Sequence, residues 1–350
     1  MLESGAERKG VRSWLLREND LVTALALLAL LVLVGLFVRG NPYLVHVLVL
    51  VVLFSSFSSA WNIIGGMGGQ LALGHSAFVG VGGYVSTLLF LYRGVTPWIG
   101  MIAGGLAASF LSLVIGAACF RKLRGSYFAL ATIALTWSLK VFVENTENIL
   151  GIHLRGAQGL MIAPLGYAPA MYQFDTKIDY FWVAVALFLL ILAVSFIVSR
   201  SKMGYYLEAI KNDQEAAECL GVNVMGIKLL AFGLSAFLTA LGGTFYAQFV
   251  LYLEPRRVFG LDLTIEMVVA AIIGGLGTIS GPVMGSVVLI VISEIIRVYL
   301  GGTYFGVHLA VYGLVLIIAV MYMPGGIRKY VFRPWVEKMT LESGRLKHAA

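Results

Sequence analysis

Residues 21–38 read LVTALALLALLVLVGLFV, an apolar run that contains no charged side chain. A hydrocarbon core about 30 Å thick requires roughly 20 such residues in a helix, so this stretch is predicted to cross a membrane. Charged side chains of both signs precede it in residues 1–20, and no small-residue cleavage site follows it. We therefore predict a first membrane span here and not a cleaved signal peptide.

The chain as a whole is also strongly apolar. Its 350 residues are 59% hydrophobic and 12% charged, with a mean hydropathy of +0.90. So little charge excludes an ordinary soluble domain, and the basic residues form no aromatic-interleaved patch for nucleic acid. We predict an all-α integral membrane protein of about ten transmembrane helices in a lipid bilayer. The predicted spans are 21–38, 44–64, 77–92, 98–119, 127–143, 180–198, 226–250, 263–276, 283–300 and 308–322.

The positions of lysine and arginine predict how these spans are oriented. An even number of spans places both termini on one side, and 17 of the 25 basic residues fall on that side. Because cytoplasmic loops carry an excess of basic residues, the N and C termini are predicted to be cytoplasmic, in a bacterial-type inner membrane. The chain then divides into a tail at 1–20, a transmembrane domain at 21–325 and a second tail at 326–350.

A glycine-rich stretch is predicted to interrupt one of the membrane helices. Residues 61–84 read WNIIGGMGGQLALGHSAFVGVGGY, with four glycines within positions 65–69. Glycine weakens a helix by about 1 kcal/mol per residue relative to alanine, so this cluster is expected to unwind the helix. The freed backbone groups have to be buried in protein or border a wet cavity, as in transporters. Gln70 and His75 either belong to such a site or are hydrogen-bonded between helices.

The longest inner loop, 199–225, is predicted to contain two short helices, Tyr205–Lys211 and Asp213–Leu220. Asp213 is suited to cap the second helix at its N terminus, and Gly221 suits the left-handed position after its end. We expect this pair to dock against a partner, with a solvated loop as the alternative. The side chains expected on its cytoplasmic surface are Leu207, Ile210, Ala216, Ala217 and Leu220.

Several motifs resemble the LivM-type permeases of branched-chain amino acid importers. Residues 215–221, EAAECLG, match the E-A-A-x-x-x-G core of the coupling loop of ATP-binding cassette importers, and the wider stretch 204–232 is similar to the LivM-type family. The glycine-rich stretch matches the pattern N-x-x-x-G-x-x-G-Q-x-x-L-G-H. Stretches at 124–135, 272–286 and 322–327 agree with the family in the same order. The stretch LRGAQGL at 154–160 departs from it, since the family more often has a threonine and paired glycines there.

The resemblance implies a permease subunit that translocates branched-chain or other amino acids, with urea or short amides as the alternative cargo. It implies no cofactor in this chain, because ATP and Mg²⁺ bind to two partner ATPase subunits. The other implied partners are a second, LivH-like permease and an extracytoplasmic solute-binding protein. The residues implied in ATPase coupling are Glu208, Asp213, Glu215, Ala216, Ala217 and Gly221. The residues implied in the translocation pathway are Asn62, Gly66, Gly69, Gln70, Gly74, His75 and Tyr127.

Motifs for catalysis are missing from the sequence. The phosphate-binding pattern G-x-x-x-x-G-K-[ST] is absent, since no lysine follows a glycine. There is no nucleophile elbow and no H-E-x-x-H pattern. We therefore predict that the chain is not an enzyme and that ATP is hydrolysed by another polypeptide.

Charged side chains also fall inside predicted spans. Glu294 and Arg297 lie three residues apart on one helical face and are predicted to pair. Glu266 has no obvious local partner, and it is the feature that favours a proton-coupled secondary transporter. Its place near the outer end of span 263–276 is expected to let it reach water. The stretch 277–285 repeats glycine every four residues, as close helix contacts require.

Overall fold

A computed structural model describes residues 3–123, 125–149, 152–164, 167–300, 313–314, 317, 321 and 326–331. The helices among them are α1 (Glu3–Phe37), α2 (Pro42–Asn62), α3 (His75–Arg93), α4 (Pro97–Lys122), α5 (Ser126–Asn145), α6 (Lys177–Arg200), α7 (Lys202–Asn212), α8 (Gln214–Cys219), α9 (Val224–Val250), α10 (Pro255–Val258), α11 (Leu261–Gly274), α12 (Gly281–Leu300) and α13 (Gly326–Val331). Short strands form two antiparallel pairs, β1 (Asn148–Ile149) with β2 (Ile152–His153) and β3 (Leu160–Met161) with β4 (Tyr252–Leu253).

Within the described residues, eight helices are long and apolar enough to cross a membrane: α1 from Asp20 onwards, α2, α3, α4, α5, α6, α9 and α12. They correspond to eight of the ten predicted spans. The predicted span 263–276 is instead the 14-residue helix α11. At about 1.5 Å per residue, α11 by itself extends roughly 21 Å, less than a core of about 30 Å, although it leads from the loop after α9 to the turn before α12. The predicted span 308–322 lies largely outside the described residues, so the total of ten stays a prediction.

The core of the bundle is built around α2 and α9. Every residue from Val51 to Asn62 of α2 is buried. A Cβ atom on Gly82 of α3 would clash with the backbone of Ala240 in α9, and one on Gly242 would lie 2.5 Å from the Phe57 ring of α2. Small residues thus let these helices approach closely.

The glycines of the repeat at 277–285 have two different roles, one in a helix contact and one in a turn. A Cβ atom on Gly285 of α12 would clash with the carbonyl oxygen of Ala270 in α11, so this glycine makes the predicted close contact. Gly277 has a φ of +77° in the turn that joins α11 to α12. The prediction of a helix contact is therefore wrong for Gly277, which serves the turn instead.

One end of the bundle, which we call the outer end, carries the loops after α5 and α9. There Tyr43 Oη donates to Glu294 (3.0 Å) and Arg297 Nη2 donates to the same carboxylate (2.6 Å), which confirms the predicted Glu294–Arg297 pair. The buried Tyr172 ring packs on Trp98 of α4, with ring centroids 4.1 Å apart. Burial also raises the pKa of the Tyr172 phenol. The loop before α6 is therefore docked on the bundle at this end.

Candidate functional site

The inner loop forms the two helices α7 and α8, at what we call the inner end of the bundle. Asp213 caps α8, since its Oδ1 accepts from the backbone N–H groups of Glu215 (2.9 Å) and Ala216 (3.1 Å). Gly221 follows the helix with a φ of +83°, a conformation that side chains disfavour. Both the predicted N-cap and the predicted left-handed glycine are confirmed.

The predicted surface position of the apolar side chains in this loop is wrong for three of them. Leu207, Ile210 and Ala217 are buried, with 0%, 4% and 2% of their surface exposed. Ile210 and Ala217 pack with Val224 at the start of α9. A helix as short as α8 is marginal by itself and depends on such packing. Ala217 therefore fastens α8 to the bundle and is not available to a partner.

Other residues of this loop are exposed. Leu220 is 83% exposed, more than the other large apolar side chains of this loop. Lys228 Nζ of α9 donates to Gln214 Oε1 (2.6 Å), and this hydrogen bond ties the first residue of α8 to α9. The exposed residues of the loop include five of the six predicted coupling residues: Glu208, Asp213, Glu215, Ala216 and Gly221.

The glycine-rich segment departs from α-helical geometry directly after α2. Residues Ile63–Met67 form a π-helical turn, and residues 68–74 are not helical. Turns of the π type are rare and occur frequently at functional sites. We call residues 63–74 the glycine break. The loss of helix agrees with the low helix propensity of clustered glycines.

Helix α7 lies directly against the glycine break. Lys211 Nζ donates to the carbonyl oxygen of Gly66 (2.7 Å). A Cβ atom on Gly69 would lie 2.8 Å from Lys211 Cγ, and one on Gly68 would lie 3.2 Å from Leu207 Cδ2. Gly69 also has a φ of +66°. The glycines are needed here because any side chain would push the break away from α7.

Asn62 connects the glycine break to the turn between α11 and α12. Its Oδ1 accepts from the backbone N–H of Gly277 (2.9 Å), and its Nδ2 donates to the carbonyl oxygen of Thr278 (2.8 Å). A Cβ atom on Gly66 would clash with the Asn62 amide. Asn62 is buried, so both halves of its amide are satisfied by backbone groups of one turn.

Gly74 and His75 lie inside the bundle, where α3 begins. A Cβ atom on Gly74 would clash with the carbonyl oxygen of Thr132 in α5. His75 is fully buried, and its Nε2 lies 2.8 Å from Ser235 Oγ in α9. The imidazole also packs edge-on against Phe78. His75 thus has a hydrogen bond between helices, as one of its two alternatives predicts, and its place in the pathway stays a prediction.

The last two predicted pathway residues are more exposed. Gln70 is half-buried, and its Nε2 makes only a long hydrogen bond to the carbonyl oxygen of Gly68 (3.3 Å). Tyr127 is 70% exposed on α5, whereas the next residue, Phe128, is buried against Phe120. Tyr127 therefore lies on the exposed face of α5.

A cavity of about 340 Å³ opens between the glycine break, α7 and the α11–α12 turn. Asp20 borders it, and its Oδ1 accepts from Ser280 Oγ (2.8 Å) and from Arg328 Nε (2.6 Å). Gly66 and Glu208 are the predicted site residues in its lining. The lining also contains groups that the sequence did not predict, since no short motif joins such distant positions: Asp20, Lys211, Arg328 and the turn 276–279. Among the described residues, no three His, Cys, Asp or Glu side chains cluster as metal ligands would.

Long apolar helices, an interrupted membrane segment and a capped helix pair at one end define a multi-span membrane permease. The family described as "Branched-chain amino acid transport system / permease component" matches residues 43–322. This is most of the chain, and the chain belongs to that family.

Relatives with curated descriptions agree with this assignment. The high-affinity branched-chain amino acid permease LivM of Escherichia coli K12 is 27% identical over 259 residues, which cover 67% of this chain and 59% of that protein. LivH of Salmonella typhimurium LT2 is 25% identical over 301 residues, covering 82% of this chain and 93% of LivH. BraD of Pseudomonas aeruginosa is 30% identical over 155 residues, covering 44% of this chain and 48% of BraD. No solved structure matches the chain significantly.

Proposed function

We propose that this chain is the permease subunit of an ATP-binding cassette importer, carrying branched-chain or other amino acids that an extracytoplasmic binding protein delivers. In this proposal it pairs with a second, LivH-like permease, and two ATPase subunits bind ATP and Mg²⁺ at the cytoplasmic face. The family membership and the descriptions of LivM, LivH and BraD support the cargo class. LivM and LivH are both similar to this chain, which supports a pair of related permeases.

The observation that carries the proposal is the construction of α8. It lies outside the bundle core, Asp213 caps it, and buried Ala217 fastens it to α9. On the side of α8 that faces away from the bundle, Glu215, Ala216 and Leu220 are exposed. A six-residue helix held this firmly is preorganised for docking, which lowers the entropic cost of binding. We assign this surface to the groove of a partner ATPase, with 199–225 as the coupling loop.

The inner end is proposed to face the cytoplasm. The Lys and Arg excess on the inner loops and tails supports this orientation, and hence the inner-membrane topology with both tails cytoplasmic. The transport route is proposed to run along the glycine break, where non-helical backbone borders the cavity. In this proposal Asn62, Gly66, Gly69, Gly74 and His75 shape the route, and half-buried Gln70 lies beside it.

The docking proposal is tested with the double variant Glu215→Arg, Leu220→Asp in the assembled complex. Neither side chain is buried, so the membrane subunit should fold and purify normally. We expect ATPase association to weaken by about tenfold or more, as for the loss of an interface hot spot, and ATP-driven uptake to fall in parallel. Asp175→Arg, a charge reversal on the exposed outer loop, is the control and should leave ATPase association intact.

Normal ATPase association and uptake in the double variant would contradict the docking assignment.

Uptake by the wild-type complex distinguishes the proposed cargo from the alternative cargo, and an ATP-driven importer from a proton-coupled carrier. ATP-dependent uptake of leucine, isoleucine or valine supports the proposed cargo, and ATP-dependent uptake of urea or short amides would replace it. Uptake that is independent of ATP and sensitive to protonophores would indicate a proton-coupled carrier using a carboxylate such as Glu266.

A further inference from the structure

We infer that Lys211 is a positioning residue through which the inner loop controls the glycine break. This inference rests on the proposed function, because it requires that an ATPase moves α7 and α8. In this inference, Lys211 is the residue that transmits the movement and the Gly66 carbonyl oxygen is the group that receives it. The E-A-A-x-x-x-G motif does not include this lysine.

The first step is the hydrogen bond between Lys211 and the break. Lys211 lies in the last turn of α7, two residues before the cap of α8, so any shift of the docking helix reaches it directly. Its ammonium group donates to the carbonyl oxygen of Gly66 at 2.7 Å. A hydrogen bond from a charged donor is roughly twice as strong as one between neutral groups. Gly66 belongs to the π-helical turn, where the regular hydrogen bonding of α2 has ended.

The second step is the packing of the lysine stem. A Cβ atom on Gly69 would lie 2.8 Å from Lys211 Cγ, so the methylene groups of the lysine rest on the far side of the break. Buried Leu207, one helical turn earlier, packs beside Gly68. The lysine therefore holds the break by its stem at Gly69 and by its charge at Gly66. In the proposed mechanism, a movement of α7 therefore displaces this segment through Lys211.

The third step is the connection from the break to the α11–α12 turn. Gly66 packs on the Asn62 amide, which binds the backbone of Gly277 and Thr278. A Cβ atom on Gly277 would lie only 3.3 Å from Lys211 Nζ, so the ammonium group sits where both segments meet. The adjoining cavity of about 340 Å³ leaves room for them to rearrange. Lys211 thus contacts the glycine break and approaches the α11–α12 turn. In the inferred mechanism, a shift of Lys211 moves both segments.

The test uses Lys211→Met in the complete complex, since methionine keeps much of the apolar stem and removes the donor. Hydrogen exchange of residues 61–72 is followed with and without ATP. We expect ATP to change this exchange in the wild type and not in Lys211→Met, while the ATPase subunits still co-purify. Leucine taken up per ATP hydrolysed should fall on the order of five-fold or more, the lower range of a coupling free energy between sites. Lys202→Met, at the exposed start of α7, is the matched control and should behave as the wild type.

Chemical rescue separates a positioning role from a merely structural one. In a background without Cys119 and Cys219, Lys211→Cys should be uncoupled, and alkylation with bromoethylamine, which rebuilds a lysine-like side chain, should restore the ATP response. An unchanged ATP response in Lys211→Met, lost ATPase association in that variant, or no rescue would overturn the inference. Failure of the wild-type complex to bind ATPase subunits or to take up leucine with ATP would instead refute the proposed function.

Discussion

At the scale of single residues, the inner end depends on a few polar groups with complete hydrogen bonding. Asn62 satisfies both halves of its amide on one turn, and Asp20 accepts from Ser280 and Arg328. A buried polar group that loses its partner costs about 1–3 kcal/mol, more than an average hydrogen bond contributes. Such residues therefore determine where the α11–α12 turn lies as well as how stable it is.

The variant Asn62→Asp should destabilise the protein through this turn. The carboxylate keeps an acceptor for the Gly277 N–H, but it loses the donor to the Thr278 carbonyl and sets two oxygens against each other. We expect a loss of about 1–3 kcal/mol, measured as a lower melting temperature of the purified protein in detergent. Gln70→Glu makes the same chemical change at a half-buried amide with a 3.3 Å hydrogen bond, so its effect should stay within about 0.5 kcal/mol. Equal losses in both variants would contradict this account of Asn62.

At the scale of elements, α8 shows how a helix of one and a half turns is stabilised. Its intrinsic stability is low, because nucleating a helix costs more than so few backbone hydrogen bonds return. The Asp213 cap, buried Ala217 and the Lys228–Gln214 hydrogen bond each add a local restraint. These restraints hold α8 in place while Ala216 and Leu220 stay exposed. This construction is what the proposed docking to an ATPase requires.

Removing the cap should loosen α8 without disturbing the membrane helices. For Asp213→Ala we expect a local cost of about 1 kcal/mol, seen as roughly fivefold faster hydrogen exchange in residues 215–220. Asp213→Asn keeps an oxygen acceptor of the same reach and should exchange at nearly the wild-type rate. Identical exchange in Asp213→Ala and the wild type would mean that packing alone holds α8.

At the scale of the whole molecule, the two ends of the bundle differ in construction. The outer end is covered by short strand pairs and by a loop docked through Tyr172 and Trp98. At the inner end, α1, α7, α13, the glycine break and the α11–α12 turn converge around one cavity. Transport by alternating access requires such a region to exchange between arrangements as nucleotide binds and is released.

A cysteine at Gln70 should report that exchange. In a background lacking Cys119 and Cys219, we expect Gln70→Cys in the assembled complex to react with a membrane-impermeant maleimide at a rate that changes with nucleotide state. Ala72→Cys is the control, because Ala72 is fully buried and should react slowly in the state described here. Gly69 is unsuitable for labelling, since a side chain there would press on Lys211. A constant rate at Gln70 while transport continues would place the route elsewhere.

The sequence by itself determined the features that depend on neighbouring residues. Apolar runs of membrane length predicted ten spans, of which eight are long apolar helices in the described residues, and the cap, the left-handed Gly221 and the Glu294–Arg297 pair follow from local geometry. Only the tertiary structure decided that Ala217 is buried, that α11 stops at Gly274 and that Lys211 binds Gly66. Hydropathy and propensity act over a few residues, whereas burial and long-range hydrogen bonds depend on which distant segments meet.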